Sequence, residues 1–176
     1  MSLIMDQLVD GWTNIKINPK YFIGHPKISL SIDDYIVSGI RGTHPEFIPP
    51  NPVIFHRDFT PYGLVLRAPR KDKVLNTAVL GFKAYDGVVE CLEIHGGHDR
   101  YKELTPIKWD MALLGSLIAF AREAGSDAVL VIPHFLVQGG DERNYERLMC
   151  RYDQNARAHG FLYSEAQQRF ALDIKK

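Results

Sequence analysis

Much that would name a chemistry outright is missing from this chain. It has two cysteines, Cys91 and Cys150, and neither belongs to a C-x-x-C pair, so a disulfide framework is not expected. Both fall inside regular elements and read as buried free thiols of a reducing compartment, a disulfide or a nucleophile being the lesser option. No apolar run approaches the roughly 18 residues of a membrane span. The N-terminus lacks the basic, apolar, small-residue order of a secretion signal, and a cytoplasmic location is the expectation. Charge of one sign is lacking as well. The 21 basic residues balance the 21 acidic ones, which argues against a general nucleic-acid or membrane-surface role. Gly-x-Ser-x-Gly and Gly-x-x-x-x-Gly-Lys-Ser/Thr are both absent, which removes nucleophile-elbow hydrolases and P-loop nucleotide enzymes.

What is present suits one globular domain. The 176 residues are 45% hydrophobic, enough for a core that needs no staples. Without a repeat or a dividing linker, residues 1–176 read as a single domain, irregular over 1–50 and regular over 51–176. In the irregular part Thr13–Ile17 alternates like an edge strand. Ser31 followed by Asp33 and Asp34 resembles a helix N-cap with an acidic first turn. Ile32, Tyr35, Ile36, Gly39 and Ile40 then fall at helical spacing and predict a helix that Gly42 stops. The proline-rich stretch His44–Pro52 cannot continue a helix and reads as a loop.

From there the pattern becomes β. Val53–Arg57 and Tyr62–Ala68 are short apolar runs. Ala78–Tyr85 and Val88–His95 flank Asp86-Gly87, the dipeptide of a two-residue type I′ hairpin. That register pairs Tyr85 with Val88, Lys83 with Glu90 and Gly81 with Leu92, so opposite charges meet. The second strand is apolar on both faces and is expected at the centre of its sheet. Thr105-Pro106 predicts a helix start, with Trp109, Ala112, Leu113, Ser116, Leu117, Phe120 and Ala124 on one face and Gly125 as the stop. Ala128–Ile132 reads as a strand buried on both faces, which makes a βαβ crossover and a parallel pair. Asp141 is the expected cap of a further helix, lined on one side by Tyr145, Leu148, Met149, Tyr152 and Ala156. Phe161–Tyr163 and Phe170–Ile174 then close the chain as an antiparallel hairpin. The fold class expected is α+β with a mixed sheet: antiparallel meander, βαβ crossover, closing hairpin.

This element order resembles the GNAT N-acyltransferase superfamily. The residues that carry the resemblance are the hairpin Ala78–His95, the helix and strand of Thr105–Pro133, and the closing Ala156-Arg-Ala-His-Gly-Phe161. It covers residues 51–176 and implies a GNAT-like fold, acetyl-CoA or another acyl-CoA as acyl donor, and a small-molecule or peptide amine as acceptor. Family members usually carry an Arg/Gln-x-x-Gly-x-Gly/Ala loop whose N–H groups, at a helix N-terminus, hold a pyrophosphate. Here that place reads His95-Gly-Gly-His-Asp-Arg-Tyr-Lys-Glu-Leu-Thr105, with two adjacent glycines and a different spacing. The tyrosine that often serves as general acid lies four residues before the Gly-Phe glycine. Ala156 stands at that position, and Tyr152 one turn earlier.

The candidate chemistry gathers at the C-terminal end of the central strand, the edge where open α/β sheets bind ligands. Gly96 and Gly97 let a ligand approach the backbone, Arg100 and Lys102 supply positive charge, and a helix starting at Thr105 supplies free N–H groups. A phosphate-bearing ligand such as CoA fits that set. Glu93 shares a strand face with His95, and burial there would raise its pKa toward that of a useful base. Tyr152 is the candidate acid. Arg143, Arg147 and Arg151 repeat every four residues, and neither Arg147 nor Arg151 has a carboxylate at helical spacing, a stripe that suits a phosphorylated ligand. Three functions follow: an acyl-CoA-dependent N-acyltransferase, a non-catalytic binding module on the same fold, and a metal-dependent enzyme using His95, His98 and His134. No resident metal is expected under the first. Unpaired edge strands leave room for a homodimer.

Overall fold

The computed structural model describes residues 2–42, 60–70, 73–97, 101–137 and 144–175. The expected strand Val53–Arg57, the proline-rich loop and the Asp141 cap lie outside them. Among the described residues eight strands form one sheet: β1 (Ile15–Lys16), β2 (Ile36–Arg41), β3 (Tyr62–Arg70), β4 (Lys73–Tyr85), β5 (Val88–Gly96), β6 (Ala128–Val131), β7 (Leu162–Ser164) and β8 (Arg169–Asp173). Their order is β1-β2-β3-β4-β5-β6-β8-β7. Every neighbouring pair is antiparallel except β5 and β6. The meander, the crossover and the closing hairpin are therefore all present in an α+β mixed sheet. Strand β5 stands inside the sheet, as its two apolar faces required.

The helices are α1 (Ser2–Gly11), α2 (Tyr101–Leu104), α3 (Trp109–Glu123), α4 (Tyr145–Met149) and α5 (Asn155–Ala158), with a π-helical turn, Cys150–Gln154, joining the last two. No helix among the described residues is long and apolar enough to cross a membrane. Helix α3 lies over the sheet and contributes Leu113, Leu117 and Phe120 to the main core, where they meet Leu64, Leu80 and Phe82 of β3 and β4. Gly125, at φ 67°, ends it in the left-handed conformation that glycine adopts freely. A smaller cluster of Ile40, Val65 and Val79 occupies the other face of the sheet.

Four expectations are corrected. The stretch after Ser31 is a single 3-10 turn, Ile32–Asp34, and the chain then extends as β2. Its Ile36-Val-Ser-Gly-Ile run is β-branched, and Val37, Ser38 and Ile40 are buried in pairing with β3. The first residues are more regular than expected. Helix α1 buries Val9 and packs so tightly on β2 that a Cβ at Gly39 would lie 2.4 Å from the Val9 carbonyl oxygen. Thr105-Pro106 forms a turn, not a helix start. The Pro106 carbonyl accepts the N–H groups of Ile23 and Gly24, and α3 begins at Trp109. Finally, Cys91 is buried but Cys150 is exposed, and both are free.

The central hairpin turns as its dipeptide demands, with Asp86 at φ 45° and Gly87 at φ 76°. Tyr85 pairs with Val88 and Lys83 with Glu90, the Lys83 ammonium lying 3.0 Å from the carboxylate. Beyond Phe82 and Cys91 the register departs from strict alternation. Gly81 pairs with Glu93, and Leu92 is left without an opposite residue, a β-bulge. The closing hairpin makes its turn without glycine by holding Gln168 at φ 51°.

Candidate active site

The bulge shapes the site. Strand β5 pairs with β6 from Val88–Ala128 to Cys91–Val131, and the last main-chain bond of that ladder runs from Ile132 N to the Cys91 oxygen at 3.3 Å. The next residue is the bulged Leu92. A bulge bends and twists its strand, so β5 continues to Gly96 without β6 beside it. The parallel pairing thus ends at Cys91–Val131, where β6 itself ends, and β5 runs on beyond it.

The π-helical turn fills the opening with three consecutive side chains. The Tyr152 hydroxyl accepts the Ile94 N–H at 2.8 Å, and Arg151 Nη1 donates to the Ile94 oxygen at 3.2 Å. Asp153 reaches the other side, accepting from His134 N at 2.9 Å and from His134 Nδ1 at 2.8 Å. Main-chain groups that β6 would have paired are thus satisfied by side chains. π-turns are uncommon and concentrate at functional sites. Tyr152 is 1% exposed, and burial drives its phenol pKa upward, with the nearby Cys91 adding to the rise. It stays protonated, and its own proton has no acceptor among the described residues.

Beside the opening lies a cleft of about 370 Å³ lined by Gly96, Gly97, Thr105, Trp109, Arg147 and Arg151. Gly96 packs closely on its wall: a Cβ there would come within 3.0 Å of the Trp109 ring, which would have to shift. Arg151 stacks over that ring with its guanidinium carbon 4.9 Å from the centroid. Burial lowers the Arg151 pKa, and the neighbouring Arg147 lowers it further. Its Nε is buried without a hydrogen-bond partner among the described residues. No ion pair joins Arg147 or Arg151 to a carboxylate among the described residues. Two like charges held together make a site for an anion, with the Asp110 carboxylate also acting on Arg151.

Of the residues expected to hold a phosphate-bearing ligand, Gly96, Gly97 and Thr105 line this cleft. Thr105 does so from a turn and not as a helix cap. Lys102 is exposed on α2 and is not part of the lining. Arg100, His98 and Asp99 lie outside the described residues, as does Arg143. The arginines of α4 and the π-turn bring the positive charge that the loop was expected to bring.

Glu93 and His95 do sit together, with His95 Nε2 3.0 Å from Glu93 Oε2. Thr60 donates to Glu93 Oε1 at 2.8 Å. They do not share the face of Cys91. The bulge reverses the alternation, so Cys91 points into the main core with Phe82, while Glu93 and His95 lie on the face of Val79. That separates Cys91 from any histidine base, and burial pushes its thiol pKa up. The cationic cleft and the Glu93–His95 pair therefore occupy opposite faces of the sheet, with the π-turn side chains at the end of the β5–β6 ladder between them. The Asp153–His134 pair borders the same opening, and no spacing in the sequence links its members. Among the described residues no group of three His, Cys, Asp or Glu side chains is placed to hold a metal.

No family model and no curated protein matches the chain. Solved structures do resemble it. Ard1 from Thermoplasma volcanium is 10% identical, with 65% of this chain and 71% of that chain covered at a TM-score of 0.39. A probable acetyltransferase of the GNAT family from Chromobacterium violaceum is 15% identical, with 93% and 91% covered at a TM-score of 0.43. The chain resembles GNAT acetyltransferases in structure at low identity. Fold likeness of this degree says nothing of activity.

Proposed function

We propose that this protein binds an acyl-CoA in the cleft and transfers its acyl group to an amine. The observation that carries the reading is the end of the β5–β6 pairing at the bulged Leu92, with two arginines at its edge that form no ion pair among the described residues. Arg147 and Arg151 take the phosphates, Gly96 and Gly97 let them approach the backbone, and Trp109 offers an aromatic wall. The acyl end enters between the strands, where the protonated Tyr152 hydroxyl is placed to give its proton to the departing thiolate. A small-molecule or peptide amine arrives from the opposite face, where the Glu93–His95 pair meets it.

Calorimetry with acetyl-CoA tests the binding half. Saturable binding is expected, weakened at least tenfold in Arg147→Ala/Arg151→Ala, a loss of about 1.4 kcal/mol or more. An acetyl thioester of pantetheine, which lacks the phosphates, should bind weakly to both proteins. Absence of saturable heat from the native protein at millimolar acetyl-CoA would sink the reading.

A second reading, a binding module without catalysis, draws on one specific observation. Tyr152 and Arg151 occupy both main-chain groups of Ile94 inside the opening. It predicts acetyl-CoA binding with no acetyl transfer to any amine.

A further inference from the structure

We propose that His134, oriented by Asp153, is the residue that takes the proton from the acyl acceptor. This role holds within the acyl-transfer reading and adds a catalytic base to it. The His134 side chain is 8% exposed, and Asp153 grips it twice, at the backbone N–H and at Nδ1. A carboxylate accepts and cannot donate, so Nδ1 carries the proton of the neutral ring and Nε2 carries the lone pair. Nε2 is buried and has no hydrogen-bond partner among the described residues. An imidazole fixed by a carboxylate with its far nitrogen bare is the arrangement of a general base. A buried polar atom left bare is costly unless a ligand or a water completes it.

Position supports the same role. His134 follows β6 and stands on one side of the opening, with Ile94 of β5 on the other and the π-turn between them. Tyr145 and Phe135 flank the imidazole edge-on, with centroids 4.5 and 5.5 Å away. Both rings are more than half exposed, at 51% and 58%. Two surface rings thus bound the imidazole. Among the described residues the titratable groups that face it are Asp153 and Tyr145. The alternative base, Glu93, already has both carboxylate oxygens hydrogen-bonded.

In the step itself the amine nitrogen attacks the thioester carbon. The N–C bond forms, the C–S bond breaks, and the nitrogen's proton passes to His134 Nε2 while Asp153 stabilises the imidazolium. The Tyr152 hydroxyl protonates the thiolate, and solvent returns the two side chains to their starting states.

The test uses the whole protein and two readouts. Nitrogen-15 NMR of the imidazoles should show the neutral His134 ring protonated at Nδ1, with Nε2 carrying the lone pair. Asp153→Asn should disturb that tautomer. With acetyl-CoA and hydroxylamine as probes, His134→Gln should lower enzyme-dependent acetyl transfer by about 10²–10⁴-fold. It should also remove the imidazole limb of the pH profile and leave acetyl-CoA binding unchanged, whereas His95→Gln should keep the limb. A neutral ring that carries its proton on Nε2 in the native protein, or a limb that survives His134→Gln, overturns the assignment. Lack of acetyl-CoA binding overturns the acyl-transfer reading instead, independently of the NMR result.

Discussion

At the scale of single residues, Tyr152 joins folding to the proposed chemistry. Its hydroxyl is the acceptor for a main-chain N–H that lost its strand partner at the bulge. Tyr152→Phe keeps the ring and leaves the Ile94 N–H unsatisfied, a loss of about 1–3 kcal/mol. Urea unfolding should register that loss, and acetyl transfer should fall in the same variant if the phenol is the acid. Retained stability would show that the hydroxyl is not needed inside the opening. Single residues also mark where sequence reading stops. Tyr152 and Arg151 stand out from the residue pattern, since an aromatic on an apolar stripe and an arginine without a helical partner each ask for an explanation. Asp153 gives no such signal. Its partner His134 is 19 residues away, and only the fold brings them together.

At the scale of elements, the central device is one extra residue in β5. The Asp86-Gly87 hairpin and helix α3 were legible because a type I′ turn and a long amphipathic face have few alternatives. The bulge was not legible, because Cys91-Leu-Glu-Ile-His95 alternates plausibly without it. The segment Ile32–Ile40 misled for a related reason. Its apolar residues satisfy the helical and the strand periods together, and pairing with β3 decides in favour of the strand. A deletion of Leu92 tests the device. The pairs Gly81–Glu93 and Phe82–Cys91 are retained without it, so the hairpin should fold. A straightened β5 should close the opening, and acetyl-CoA binding should be lost. Unchanged binding would show that the bulge does not shape the site.

At the scale of the whole molecule, the sheet carries a buried charge cluster that ties its centre to its far edge. Glu90 is 2% exposed and receives Arg169 Nε at 2.6 Å, the Tyr85 hydroxyl at 2.9 Å and Lys83 at 3.0 Å. Burial alone would raise its pKa. The hydrogen bonds from Arg169, Lys83 and Tyr85 outweigh burial and hold it below the ordinary carboxylate value of 4.5. A folded pKa below the unfolded one means that this stability is present above the unfolded value and is lost as pH falls through the folded one. Acid unfolding should show that loss, and in Glu90→Gln the acid-side slope should be shallower. An equal slope in both proteins would assign acid sensitivity to other groups.

The same sheet sets cationic groups on one face and the Glu93–His95 pair on the other, on either side of the point where β5 runs on beyond β6. That arrangement is the central claim, and an amide NMR titration with acetyl-CoA examines it most directly. The account predicts saturable shifts of the Ile94, Gly96 and Gly97 amides and of the Trp109 indole. Saturation that leaves those four signals in place would contradict it.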